Sequence, residues 1–134
     1  PPIPVVLLNR IDVCAHVRLD TPLQAMQAVG AVTLHGCTGG TGDRLPIITL
    51  GKEENSLILI QRQVYLNTSG QAELFALSTE RGNVLLHEMD DHPSVVRELE
   101  ETNYFSFRAV SAIQTSTPPL ADILREFNPH VLLL

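Results

Sequence analysis

Aromatic side chains are scarce in this sequence: four Phe, two Tyr and no Trp among 134 residues. Lysine is scarcer still. Lys52 stands alone, and the other basic residues are arginines spread singly from Arg10 to Arg125. Fifteen acidic residues outweigh the nine basic ones and set a net charge of −6. With no basic stripe to displace phosphate counterions and few rings to stack on bases, nucleic acid is excluded as the expected partner. Long apolar runs are missing too. Nothing approaches the roughly 18 or more residues of a membrane-spanning helix, and no segment reads as a signal peptide. The only cysteines are Cys14 and Cys37, too few for a disulfide-built scaffold.

What is present suits one folded unit. A hydrophobic fraction of 44% is ordinary for a globular chain. A chain of this length forms one core and has little room for a second, so residues 1–134 read as a single domain. It begins Pro1-Pro2-Ile3-Pro4 rather than with Met, which reads as a domain processed or excised from a longer chain.

Apolar and polar residues alternate from Val5 to Leu19, the period of a half-buried strand. Thr21-Pro22 reads as the start of a short helix and Gly30 as its stop. Strand-like runs follow at 31–37, 45–50, 56–67, 71–79 and 83–89, separated by turn-forming residues such as Thr68-Ser69-Gly70 and Arg81-Gly82-Asn83. Asp91-His92-Pro93 opens a second helix, 105–113 reads as a strand, and Thr117-Pro118-Pro119 opens a third helix. The sum predicts an α+β fold: a mainly antiparallel sheet of about six to eight strands with roughly three short helices, or alternatively an all-β sandwich.

The chemistry-bearing residues cluster in a few places. Cys14-x-His16 and His35-x-Cys37 mirror one another, and residues i and i+2 of a strand share a face. Paired antiparallel, the four side chains would converge. They are then candidate ligands for zinc, which takes nitrogen and sulfur donors, although Cys-x₂₋₄-Cys is the commoner spacing. A Cys14–Cys37 disulfide is the competing expectation, and unlinked residues the plainest.

The segment His35-Gly36-Cys37-Thr38-Gly39-Gly40-Thr41-Gly42-Asp43-Arg44 invites comparison with the tyrosine-phosphatase loop, in which backbone amides cradle phosphate, a Cys attacks and an Arg clamps. The spacing fails at both ends, and a strand rather than a helix is expected to follow. Cys37, His35 and Arg44 nevertheless form the best catalytic candidate set. His87-Glu88-Met89-Asp90-Asp91-His92 has one residue too many for the zincin pattern; its carboxylates can hold a divalent cation through oxygen, or can simply favour a helix start. Asn67-Thr68-Ser69 is an N-glycosylation acceptor pattern and, with two cysteines able to pair, leans the setting toward extracellular.

With no convincing nucleophile and base, the expectation leans away from an enzyme. The function expected is a protein-interaction or assembly module of a larger protein. It would bind a partner or a second copy through a sheet edge, with Ser56–Ile60 and Val131–Leu134 the most adhesive segments.

Overall fold

Leu57-Ile58-Leu59-Ile60 and Val84-Leu85-Leu86 are apolar at consecutive positions and offer no polar face. Strands of that composition need cover on both sides, the situation of a parallel sheet between helices. The computed structural model of the chain, which describes residues 1–9, 16–38, 52–61 and 69–134, has that architecture. Among the described residues one six-stranded sheet is formed by β1 (Ile3–Asn9), β2 (Val32–Thr38), β3 (Leu57–Gln61), β4 (Val84–Glu88), β5 (Ala112–Thr115) and β6 (Val131–Leu133). Their order is β2-β1-β3-β4-β5-β6, and every neighbouring pair runs parallel.

The expected antiparallel sheet is therefore wrong, and so is the sandwich alternative. Parallel neighbours cannot be joined by tight turns; each needs a crossover, usually a helix. Ser69 and Gly70, expected in a turn between strands, instead open helix α2 (Ser69–Glu80), whose Gln, Ala, Glu and Leu content is that of a helix rather than a strand. The long first strand is also corrected at its far end: β1 spans Ile3–Asn9, and His16–Asp20 form a π-helical turn running into α1 (Thr21–Ala28). The run 105–113 divides into α4 (Phe105–Arg108) and then β5, after a 3₁₀ turn at Pro93–Val95 and α3 (Arg97–Glu101). The helix expected after Thr117 is α5 (Pro118–Leu124).

Local chemistry explains how α1 turns back. Pro22 sits in its first turn, where a missing N–H costs nothing. Gly30 takes φ +74, a left-handed conformation suited to glycine, and its amide bonds to the Gln27 carbonyl at 3.0 Å. The chain then enters β2 beside β1, with Val5 opposite Leu34.

Two apolar clusters lie on opposite faces of the sheet. Val6, Ile58, Ile60, Leu85 and Ile113 pack with Phe75 of α2, Leu99 of α3, Phe107 of α4 and Leu124 of α5. Val5, Leu7, Leu59 and Leu86 pack with Leu19 and Leu23 from the π-turn and α1. The crossover from β1 to β2 covers one face and the crossovers from β3 onward cover the other. That is what right-handed connections demand when the chain reverses its direction of travel across a sheet. The reversal lies between β1 and β3.

Candidate functional site: the carboxyl edge of the sheet

In a doubly wound sheet the strands flanking the reversal send their connections to opposite faces. A crevice opens outside their carboxyl ends. The strands that approach it here are apolar along their bodies and polar at their ends. β3 finishes on Gln61, β4 on Glu88 and β5 on Thr115, with 1, 0 and 0% of their surfaces exposed. Gln61 and Glu88 are register partners on neighbouring strands. By alternation both project on the face of Leu59 and Leu86, the face that carries the π-turn.

Arg18, from that turn, meets Glu88 there. Its Nε donates to Glu88 Oε1 and lies 3.9 Å from Asp90 Oδ2, just beyond the end of β4. The guanidinium is part-buried and the Glu88 side chain wholly so. Loss of water pushes the Glu88 carboxyl above its ordinary value of 4.5; the hydrogen bond and charge of Arg18 offset this only in part, and Asp90 adds to the rise. The Gln61 amide lies close enough to steady the carboxylate without completing a hydrogen bond to it.

Several polar atoms at this edge have no partner among the described residues: Gln61 Oε1 and Nε2, Glu88 Oε2 and Asp90 Oδ1, and, on the opposite face with Ile113, Thr115 Oγ1. Each such group costs about 1–3 kcal/mol when buried bare. Buried amides elsewhere show what a purely structural polar group looks like here. Asn83, at the amino end of β4, accepts from Ser56 N at 3.0 Å and donates to the Glu53 carbonyl and to Ser78 Oγ at 2.8 and 3.0 Å. Asn128 donates to the Phe107 and Val110 carbonyls and accepts from His130 N. Asn83 and Asn128, away from the carboxyl edge, are saturated; Gln61 at the edge is not. Unmet hydrogen-bonding capacity gathered in one place is what a ligand site needs.

His87 precedes Glu88 but faces the other side, against Phe107 with ring centroids 5.0 Å apart. Its Nδ1 lies 3.0 Å from the Ser106 carbonyl, which only accepts, so Nδ1 carries the proton and Nε2 holds a lone pair. Nε2 has no partner. Burial lowers this imidazole to about 4.

The residues expected from sequence fare differently. His16 belongs to the π-turn rather than to a strand, and β2, which carries His35 and Cys37, pairs parallel with β1. Among the described residues β2 makes no antiparallel pairing of the kind expected to join the two Cys/His pairs. His35 is exposed. Cys14, Arg44 and Asn67, and with them the disulfide, the loop nucleophile set and the glycan acceptor, lie outside the described residues. Among the described residues no three His, Cys, Asp or Glu side chains gather as a metal cage.

In the 87–92 segment, His87 and Glu88 part to opposite faces, and His92 rather than an aspartate caps the following turn, its Nδ1 accepting from Ser94 N at 3.2 Å. Sequence reasoning singled out Glu88 and Asp90 but missed Gln61 and Arg18. The available signal for Gln61 was a polar residue closing an unbroken apolar run, the mark of a parallel strand's end.

No protein-family model matches the chain, and no curated protein matches it. No helix among the described residues is long and apolar enough to cross a membrane.

Proposed function

We propose that this domain binds a small polar ligand at the carboxyl edge of its sheet, near the reversal between β1 and β3. Gln61, Glu88 and Asp90 make the contacts, and Arg18 holds the two carboxylates in place. The observation that carries this reading is the set of buried, unpartnered polar atoms at the strand ends, against the saturated amides of Asn83 and Asn128. Acceptors outnumber donors there, so the ligand is one that offers hydroxyl, ammonium or metal-type contacts rather than a bare anion. The test is a titration of ¹⁵N-labelled protein in EDTA with pools of polar metabolites. Amide shifts centred on Gln61, Glu88 and Asp90, lost in Glu88→Gln, are expected. Shifts confined to other parts of the molecule, or none either in EDTA or with Mg²⁺ present, would remove the proposal.

A second reading, association through a sheet edge, is favoured by β6. This edge strand exposes 47% of Leu132 and 46% of Leu133, and edge strands of that kind accept another strand. Concentration-dependent sedimentation that disappears in Leu133→Lys supports it; a monomer at every concentration counts against self-association.

A further inference from the structure

Arg18 takes one oxygen from each of two carboxylates and leaves the other. Its Nε engages Glu88 Oε1 and lies near Asp90 Oδ2, while Glu88 Oε2 and Asp90 Oδ1 are buried with no partner among the described residues. Gln61 is 1% exposed, sits beside Glu88 on the next strand and face close enough to steady its carboxylate, and has neither amide atom in a completed hydrogen bond among the described residues. Parallel neighbours are about 4.8 Å apart, and residues two apart along an extended chain about 6.6 Å. Side chains at such backbone spacings are near enough for their oxygens to reach one small ion.

We propose that Gln61, Glu88 and Asp90 form a binding site for a hard divalent cation, Mg²⁺ or Mn²⁺, with water filling the remaining positions. The donor chemistry is the reason. Two carboxylate oxygens and an amide carbonyl are hard ligands suited to such ions, and no thiolate or imidazole is needed. The count of donors favours Mg²⁺ over Ca²⁺, because Mg²⁺ keeps several waters and asks few groups of the protein, whereas Ca²⁺ takes six to eight oxygens. Charge favours a cation over an anion: two ionised carboxylates and one guanidinium carry a net −1, which becomes +1 with a divalent ion bound. Arg18 acts as a positioning residue, turning the free oxygens of both carboxylates away from itself. Asp90 and Arg18 keep 17 and 25% of their side chains exposed, which places them at the rim of the site. The inference rests on the reading of this edge as a ligand site and names its first occupant.

The experiment uses the whole chain, stripped with EDTA and labelled with ¹⁵N, titrated with Mn²⁺ and then competed with Mg²⁺. Paramagnetic broadening is expected first at the amides of Gln61, Glu88 and Asp90, reversed by Mg²⁺. Asp90→Asn, at the rim where folding is least at stake, is expected to weaken Mn²⁺ about tenfold or more. Mg²⁺ at about ten times its Kd is expected to raise Tm by about 4 °C. Broadening elsewhere or nowhere, or equal affinity in Asp90→Asn, overturns the cation site. An organic ligand that still binds at Glu88 in EDTA after such a result would leave the broader reading standing; loss of both would sink both.

Discussion

His87 is a neutral base locked inside an apolar layer, and that makes it a source of acid sensitivity. Its imidazole titrates near 6.5 when unfolded but near 4 when folded. Between those values the unfolded chain holds the extra proton, so stability falls as pH drops from 6.5 toward 4, by about 3 kcal/mol in all. Glu88 works in the opposite sense. Its carboxyl is raised above 4.5, so just above that value the folded protein holds the extra proton, and stability falls as pH rises from 4.5 through the raised value. The His87 contribution is isolated by comparing urea unfolding of the native protein and His87→Leu across this range in EDTA; the variant is expected to lose its share of the acid slope.

Arg18 is subject to a related argument. Removing it strands a buried carboxylate, which typically costs about 3–5 kcal/mol, whereas removing both charges costs far less. Arg18→Met is therefore expected to be strongly destabilising and Arg18→Met/Glu88→Gln to recover most of the loss in a double-mutant cycle. Simple additivity of the two changes would contradict the coupling.

At the scale of elements, the closing segment α5–β6 depends on one side chain. Asn128 ties the end of α5 to the carbonyls of Phe107 and Val110 at 3.0 Å each, and its Oδ1 positions His130 for the entry into β6. Asn128→Ala leaves two carbonyls and an amide bare and is expected to cost about 2–4 kcal/mol in denaturant unfolding. Asn128→Asp is the sharper test. It keeps the acceptor for His130 N but sets an oxygen against two carbonyl oxygens, so it is expected to be worse than alanine. If aspartate were tolerated, the donor role would be refuted.

Stability is expected to be graded across the whole molecule. β1, β3 and β4 are paired on both sides and carry Val5, Val6, Ile58, Ile60 and Leu85, all buried. β6 is an edge, three residues long, with exposed leucines. Amides of the inner strands are expected to exchange with deuterium only through global unfolding, and those of β6 through local opening at far lower cost. Uniform protection across the sheet would contradict this. Opening of the carboxyl edge belongs to the same hierarchy: a ligand or ion bound there bridges β3 and β4 and would slow exchange at their ends first.

The sequence by itself determined much of the local structure. Thr21-Pro22 and Gly30 bracket α1, Thr117-Pro118-Pro119 opens α5, and the apolar runs at 57–60, 84–86 and 131–133 become strands. These features depend on propensity, capping and hydrophobicity, which act within a few residues. Strand direction was decided elsewhere. Whether two runs pair parallel or antiparallel depends on what joins them, and the joining segment 71–79 is a helix whose alternation resembles that of a strand. The candidate site was decided at the same level. Arg18 and Glu88 are separated by 70 positions in the chain, and no spacing rule relates them. They meet because β1, β3 and β4 lie side by side with their carboxyl ends together, an arrangement set by packing both faces of one sheet.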